Sequence, residues 1–279
     1  MKERKRLLSI IGTVVFSIFS IAWLIPIVII VMNSFKKKSF IQSIPFDWVT
    51  PETFAKFANY TAALRKYHLL DAVGWTVLIT VGSVIVILIC TSMCAWYITR
   101  VKSKVSKFIY LLCVFSMVVP FQMVMFTLSF TADRLHLNTP WGIIIVYLGF
   151  GAGLAVFMFC GFVKSIPVEI EEAALIDGAS PLRAFFTIVL PIMKPTYISV
   201  GILETMWIWN DFLLPYLVLD TNKYKTISIV IQFMKGSYGR VDMGAIMAAL
   251  VLAVIPVIVF YLACQKYIIK GVVAGAVKG

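Results

Sequence analysis

The sequence predicts an all-α integral membrane protein with six transmembrane helices. Of its 279 residues, 61% are hydrophobic and 14% are charged, whereas a soluble domain carries about 25% charged residues. Five runs without Asp, Glu, Lys or Arg each exceed the roughly 18 apolar residues that indicate a bilayer-spanning helix. These runs are residues 7–35, 72–99, 108–132, 135–163 and 243–265. Because backbone polar groups must pair internally in hydrocarbon, such long runs are expected to be helices and not barrel strands.

A sixth span is predicted at about residues 195–219, an apolar stretch that contains Glu204 and Asp211. The first run follows four basic residues, but it is far longer than the apolar region of a secretory signal and lacks a small-residue cleavage site. It is therefore expected to remain as the first transmembrane helix. Residues 1–279 are expected to form a single polytopic membrane domain.

The distribution of basic residues favours cytoplasmic termini. In that orientation the cytoplasmic segments hold 14 Lys and Arg residues and the outer segments hold 11. This excess on the cytoplasmic side agrees with the positive-inside rule. The loop RVKSKVSK at residues 100–107 supports this orientation, whereas the three lysines at residues 36–38 favour the inverted one. We predict a multi-pass protein of the plasma or inner membrane with both termini in the cytoplasm.

Neither nucleic acid nor a metal ion is expected as a partner. The net charge is +12, but the basic residues are spread among loops between spans, so attraction to anionic membrane lipid explains them. The five cysteines lie within or at the edges of predicted spans and form no CxxC pair, which predicts packing and not metal binding. They are Cys90, Cys94, Cys113, Cys160 and Cys264.

The longest predicted cytoplasmic loop, residues 164–194, carries a concentration of acidic residues and two helix start signals. In the first signal, Ser165 is the predicted cap and Pro167 lies in the first turn. Three glutamates then lie near the positive end of the helix dipole, which stabilises them. They are Glu169, Glu171 and Glu172.

A second short helix is predicted directly after the first. Gly178 supplies the left-handed residue that ends the first helix. Ser180 is then the cap of a helix with Pro181 at its first position, and this helix runs through PLRAFFTIVL to Pro191. Two short helices that meet at a glycine form an acidic, water-compatible elbow, whose charges could face basic groups on a partner protein.

This loop resembles the EAA loop of ABC importer permeases. It has Glu-Ala-Ala, three residues, Gly, nine residues and Ile-x-Leu-Pro, which matches that motif at every defining position and spacing. The matching residues are Glu172, Ala173, Ala174, Gly178, Ile188, Leu190 and Pro191. The stretches WNDFLLP at 209–215 and VAGAVKG at 273–279 resemble the carbohydrate branch of that family, the MalG-like or maltose-type permeases. The resemblance covers essentially the whole chain.

The resemblance implies a type I ABC importer permease fold with a cytoplasmic coupling helix, in which residues 70–265 form the core transmembrane region. In such importers the EAA loop seats in a groove of a separate ATPase subunit, so Asp177 joins the motif residues as a candidate for ATPase coupling. The C-terminal tail, residues 265–279, is implied to reach the ATPase as well. The chain would move a sugar or oligosaccharide into the cell by alternating access.

The same resemblance implies the partners. A homologous second permease would complete a heterodimeric pore, two ATPase subunits would drive it, and an extracytoplasmic solute-binding protein would deliver the solute. The chain has no GxxxxGK[ST] motif. We therefore expect a transport subunit and not an enzyme, with no cofactor of its own and with ATP and Mg bound by the partner ATPase.

Charged residues inside the sixth span are candidates for the translocation path. Glu204 and Asp211 are seven residues apart and are predicted to share a helix face, with Asn210 beside them. Glu204 and Asn210 could line the sugar pathway, because intramembrane ionisable residues usually face a bundle interior or a water-filled path. Alternatively, Glu204 pairs with a polar group at the permease interface and Asp211 marks the outer water level.

The sequence leaves three alternative functions. A permease for glycerol phosphate or another polar solute is the nearest, although the spans show no basic cluster that would bind a phosphate ester. A secondary transporter would have no need of a coupling loop, and inverted repeats would be expected in many such folds. A membrane enzyme is disfavoured because the sequence contains no HExxH or GxSxG motif.

Overall fold

The structure is a computed structural model that describes residues 2–236 and 241–276. Within those residues helices dominate, and the only β-type pairing is one isolated bridge between Lys36 and Phe54. The predicted all-α class is therefore confirmed. The helices are α1 (Lys2–Ser34), α2 (Lys38–Ser43), α3 (Ala58–Thr61), α4 (Leu69–Arg100), α5 (Lys104–Val118), α6 (Phe121–Arg134), α7 (Pro140–Val163), α8 (Val168–Ile176), α9 (Pro181–Ala184), α10 (Leu190–Ile192), α11 (Lys194–Asn210), α12 (Leu213–Val218), α13 (Ile227–Phe233) and α14 (Met243–Ala276).

Four of the predicted spans are single helices that are long and apolar enough to cross a membrane. They are α1, α4, α7 and α14. Helix α14 begins at the start of the predicted run and continues past residue 265, so the predicted C-terminal tail is helical as far as Ala276. Residues 277–279 of that tail lie outside the described residues.

The predicted span at residues 108–132 is wrong as a single helix, because the chain breaks in its middle. Helices α5 and α6 meet at an angle of 109°. Val119 and Pro120 between them are both extended, with ψ of 115° and 133°. Proline disfavours the helical conformation of the residue before it and has no N–H to continue the hydrogen-bond ladder, so the helix ends there.

The predicted span at 195–219 is also interrupted. Helix α11 ends at Asn210, Asp211 is extended with ψ of 134°, and the short helix α12 follows. Before α11, the helical segment Pro181–Ile192 meets it at an angle of 78°. If each of the two bent pairs crosses the membrane once, the described residues contain six spans.

The chain divides into two compact units. One comprises the residues up to Leu70 with Val230–Pro256, and the other comprises Asp71–Ile229 with the chain from Val257. In the second unit α7 is the central helix, and more than half of its residues are buried. It packs most extensively against α5. Gly153 permits this approach, because a Cβ there would lie 2.8 Å from the carbonyl oxygen of Cys113.

In the first unit, the segment after α1 is held by buried polar groups. The Asn59 side-chain amide donates to the carbonyl oxygens of Ser34 and Lys36, both at 2.8 Å. Lys36 is itself fully buried, and its Nζ donates to the Ile44 carbonyl oxygen at 2.9 Å. Burial lowers the pKa of Lys36. One of the three lysines that favour the inverted orientation is therefore an internal structural group.

Candidate functional site

The 164–194 loop folds as the predicted elbow. Helix α8 ends where the chain turns at Gly178, which has φ of +84°. The Gly178 N–H donates to the Leu175 carbonyl at 3.1 Å, and the Ala179 N–H donates to the Ala174 carbonyl at 3.0 Å. These two bonds form a Schellman motif, which satisfies the last carbonyls of the helix. The predicted left-handed glycine is confirmed.

The start of the second helix is as predicted, but the start of the first is not. Ser180 Oγ accepts a hydrogen bond from the Arg183 N–H at 3.3 Å, and Pro181 is the first helical residue. Ser165 does not cap α8, because its hydroxyl donates backwards to the Phe162 carbonyl at 2.7 Å. Pro167 holds the extended N-cap position, with ψ of 134°, so α8 begins at Val168.

The second helix also continues beyond its predicted end. After α9 the chain makes a π-helical turn over Phe185–Val189 and then enters α10, which includes Pro191 and ends at Ile192. Proline is tolerated in the first turn of a helical segment because its missing N–H would have no partner there. Ile188 and Leu190 are half-buried in this region, and Pro191 is exposed.

An ion pair between the buried Glu171 and the partly buried Arg100 ties α8 to the end of α4. Arg100 donates to Glu171 Oε1 through Nη2 at 2.6 Å and through Nε at 2.9 Å. The Trp96 indole N–H donates to Glu171 Oε2 at 2.8 Å, so both carboxylate oxygens have partners. Arg100 Nη2 also donates to the carbonyl oxygen of Ile166, just before α8, at 3.0 Å. Glu171 is 6% exposed, and it fixes the loop to α4 within the chain.

This contact corrects the expectation that all the acidic residues of the loop could face a partner. Glu171 is oriented into the chain, and Trp96 continues the contact by packing on Phe185, with ring centroids 5.3 Å apart. Phe185 and Ala184 are almost completely buried, and Ala174 is 8% exposed. One side of the elbow is therefore an anchor that packs on the transmembrane helices.

The opposite side of the elbow is open. Glu172, Ala173 and Asp177 are exposed. They lie among three exposed apolar side chains, of which Ile176 has 86% of its surface accessible. The other two are Leu175 and Leu182. We call this side the open face: Glu172, Ala173, Leu175, Ile176, Asp177 and Leu182. An apolar patch rimmed by charges is typical of a protein–protein contact.

Glu204 lies inside the second unit. It is 2% exposed, and its Oε2 has no hydrogen-bond partner within the described residues. A Cβ at Gly151 of α7 would lie 3.0 Å from this oxygen and 2.6 Å from Cδ1 of Ile87 in α4. The carboxylate is therefore enclosed where α11 meets α7 and α4. A buried carboxylate oxygen without a partner is costly, and intramembrane ionisable residues are most often found at functional positions.

The predicted common face of Glu204 and Asp211 is wrong, because α11 ends before Asp211. Asp211 Oδ1 accepts the Leu213 N–H at 3.0 Å, and Oδ2 accepts the Tyr147 hydroxyl at 3.0 Å. Asp211 thus accepts hydrogen bonds from the first turn of α12 and links that helix to α7. Asn210 is exposed, and its amide donates to the Met206 carbonyl at 2.7 Å within its own helix.

Comparison with known proteins identifies the family. Residues 87–273 match the model of the binding-protein-dependent transport system inner membrane component. The chain belongs to this family. Such a component is by definition a membrane protein, which agrees with the long apolar helices.

Relatives of this inner membrane component include sugar permeases. This chain is 38% identical over 276 residues to the probable starch degradation products transport system permease protein AmyC of Thermoanaerobacterium thermosulfurigenes. The match covers 99% of this chain and 97% of that one. This chain is also 32% identical to the melibiose/raffinose/stachyose import permease protein MelC of Bacillus subtilis, with 96% of each chain covered.

A solved structure has the same fold. It belongs to a bacterial ABC transporter involved in the import of the acidic polysaccharide alginate, with a TM-score of 0.78, 22% identity, and coverage of 94% of this chain and 96% of that chain. The predicted type I ABC importer permease fold is confirmed by this match.

Three of the residues that hold the site together were not among the sequence predictions: Trp96, Arg100 and Tyr147. Trp96 and Arg100 are four residues apart, so they lie on one face at the end of α4. Such a polar pair at the end of an apolar helix is a signal that it contacts an adjoining loop. Tyr147 lies in a uniformly apolar helix, where sequence gives no indication of its partner.

Proposed function

We propose that this chain is the permease subunit of an ATP-driven importer that moves a sugar or oligosaccharide into the cell. The substrate class is supported by the names of two relatives, a probable starch degradation products transport system permease and a melibiose/raffinose/stachyose import permease. We infer that the chain has no ATPase site, that it binds no cofactor, and that ATP and Mg are held by two partner ATPase subunits. A homologous second permease and an extracytoplasmic binding protein complete the assembly.

One observation supports the coupling role above all others, namely the two-sided elbow. The anchor side is fixed to α4 through Glu171 and Arg100, and the open face presents Ile176 and Glu172 outward. An ATPase that binds the open face would move α8, and the buried ion pair would transmit this movement to α4. Alternating access follows if ATP-driven closure of the two ATPases moves both permeases together.

The coupling residues divide between the two sides. Glu172, Ala173 and Asp177 would contact the ATPase directly, because they are exposed. Ala174 and Gly178 would shape the elbow, since the first is buried against the chain and the second has positive φ. The helical segment Pro181–Ile192 would be held to the transmembrane region by the half-buried Ile188 and Leu190, together with Pro191.

For the translocation path we propose Glu204 and Asn210. Asn210 is exposed at the end of α11, and Glu204 has a carboxylate oxygen without a partner in the described part of the chain. Carboxylate and amide groups bind sugar hydroxyls by hydrogen bonding. Since Glu204 is enclosed in this conformation, it would reach the path only when α11 and α7 separate during transport.

The orientation of the chain follows from the coupling role. An elbow that contacts a cytoplasmic ATPase places the 164–194 loop in the cytoplasm. Helix α7 has 24 residues and leads to this loop, so its other end lies about 36 Å away along the axis, enough to reach the outer surface. With six spans, both termini are then cytoplasmic.

Site-specific cross-linking tests the coupling role. The five native cysteines are replaced by serine, and a single cysteine carrying a photoactivatable maleimide is placed at Ala173 or Ile176. We expect covalent capture of an ATPase subunit from both positions. The matched control is Leu135→Cys, in the turn between α6 and the start of α7 and 61% exposed. It should capture no ATPase and should react with an impermeant maleimide from outside the cell.

Two results would overturn the proposal. No capture from any position along 169–180 would contradict the coupling role. Recovery of the tagged chain alone in mild detergent, active in transport without ATP, would mean that the protein is a secondary carrier. Co-purification with another permease and an ATPase would support the importer and would identify its binding protein for tests with candidate sugars.

A further inference from the structure

A basic groove lies beside the coupling elbow, between the end of α4, the start of α5 and the end of α7. It encloses about 570 Å³. Its lining contains four lysines and no acidic residue. The lining residues are Ile98, Thr99, Val101, Lys102, Ser103, Lys104, Ser106, Lys107, Tyr110, Cys160 and Lys164. We propose that this groove binds the headgroup of an anionic phospholipid of the cytoplasmic leaflet.

The charge of the groove is uncompensated. Lys102, Lys104, Lys107 and Lys164 are all exposed, and among the described residues none of them forms a salt bridge with a carboxylate. Lys164 lies over the ring of Tyr110, with Nζ 5.9 Å from the ring centroid. Four like charges around one concave surface repel one another, so an anion that enters the groove is attracted by all of them.

The backbone adds to this attraction. Helix α5 has 15 residues and starts at the floor of the groove, with Ser103 Oγ accepting the Ser106 N–H at 3.0 Å. The N-terminal end of a helix carries a partial positive charge and favours phosphate groups. The nearby Arg100 contributes little, because Glu171 already neutralises it. The groove lysines and the α5 terminus therefore act on the same anion.

The apolar surface next to the lysines distinguishes a lipid from a free anion. Val105 and Phe108 alternate with Lys104 and Lys107 along α5 and are 61% and 66% exposed. Leu112, one turn further along the helix, is 57% exposed. Such a surface matches acyl chains that continue from a headgroup, whereas inorganic phosphate would use only the lysines. We therefore assign the groove to a phospholipid.

The position of the groove gives the lipid access to the elbow. Val101 follows Arg100, the residue that holds Glu171, and Lys164 lies just before α8. A headgroup that binds Lys102 and Lys164 together would link the α4–α5 turn to the first residue of the loop. The assignment rests on the orientation given by the proposed coupling role, which places the groove at the cytoplasmic leaflet, and on the lysines and apolar surface around the groove. It does not depend on which solute is transported.

The test measures lipid retention by the complete, purified transporter. The complex is reconstituted in nanodiscs of phosphatidylglycerol or of phosphatidylcholine. It is then released from the nanodiscs, and native mass spectrometry measures the lipid molecules that stay bound to it. We compare the native chain with the variant in which Lys102, Lys104, Lys107 and Lys164 are all changed to Gln. The matched control changes four exposed lysines elsewhere: Lys37, Lys38, Lys56 and Lys235 to Gln.

We expect the native chain and the control to retain a phosphatidylglycerol molecule that the groove variant loses, with no retention of phosphatidylcholine. Apparent affinity should fall about fivefold for each groove lysine removed, since each contributes about 1 kcal/mol near an anionic surface. If the quadruple variant does not assemble, the pair Lys104→Gln and Lys107→Gln is used instead. Equal retention by native and variant complexes, or displacement of the lipid by millimolar inorganic phosphate, would overturn the assignment.

Discussion

Two buried carboxylates of the second unit differ in their hydrogen bonding. Glu171 accepts hydrogen bonds on both oxygens, from Arg100 and from Trp96. Glu204 is buried more deeply, yet its Oε2 has no partner among the described residues. Because a buried charge requires compensation, Glu171 has a complete structural role within this chain. Glu204 instead has one oxygen for which the described residues supply no partner.

The largest expected effect comes from breaking the satisfied carboxylate. Glu171→Ala would leave the Arg100 guanidinium without its carboxylate partner, which costs up to about 3–5 kcal/mol when the remaining charge is buried. Arg100 is 16% exposed and keeps its bond to the Ile166 carbonyl, which lowers this cost. We expect the complex to lose thermal stability and the cells to contain less of it. The measurement is the melting temperature of the purified complex together with its abundance in membranes.

Two further variants test whether this loss comes from the ion pair. Glu172→Ala removes the neighbouring exposed carboxylate and should leave the melting temperature unchanged, even where it weakens binding of the ATPase. Replacing Glu171 and Arg100 together by Met should be less harmful than either single change, because no buried charge is then left unpaired. Additive losses in the double variant would contradict a direct interaction.

The second prediction concerns Glu204, whose Oε2 has no partner among the described residues. Glu204→Gln keeps the shape of the side chain and removes its charge. If Glu204 binds sugar during transport, the loss of a hydrogen bond to a charged group, about 1.5–3 kcal/mol, lowers uptake efficiency by about ten- to a hundredfold. The melting temperature should not fall, because no satisfied interaction is lost, whereas the same substitution at Glu171 should lower it. Uptake kinetics and assembly identical to those of the native chain would exclude Glu204 from the path.

The third prediction addresses the enclosure of Glu204. Gly151→Ala would place a Cβ 2.6 Å from Ile87 Cδ1 and 3.0 Å from Glu204 Oε2. Both atoms are the ends of flexible side chains that must shift, so we expect a cost near the low end of the about 1–3 kcal/mol typical of overpacking. Gly149→Ala, two residues earlier on α7, meets no atom within 4 Å. We expect a lower melting temperature for the first variant only. Equal melting temperatures would mean that Ile87 and Glu204 do not pack tightly against α7 at this position.

The sequence was sufficient to predict the features that are set locally. Long charge-free runs determined α1, α4, α7 and α14, because only a continuous helix satisfies the backbone in hydrocarbon. Gly178 and Ser180 were predictable in the same way, since a left-handed glycine and a serine cap depend on residues within one turn. The spacing of the EAA motif then allowed the loop to be predicted as a coupling loop from the sequence alone.

Features set by distant residues could not be predicted. The contact between Arg100 and Glu171 joins positions 71 residues apart, and nothing near either residue specifies the other. The breaks at Pro120 and Asp211 were missed because both lie in apolar stretches that satisfy a length criterion. Pro120 could have been used, since proline disfavours the helix before it. Asp211 could not, because its role depends on Tyr147.

The smallest expected effect lies at the turn that orients Glu171 and the open face together. Gly178→Ala must adopt φ near +84°, which costs a residue with a Cβ about 1–2 kcal/mol. We expect the amides of α8 to exchange faster with deuterium while the melting temperature changes little, because Glu171 still anchors the helix. Gly161→Ala, a helical position with no atom within 4 Å, is the control. Unchanged protection in the first variant would mean that the anchor alone positions the elbow.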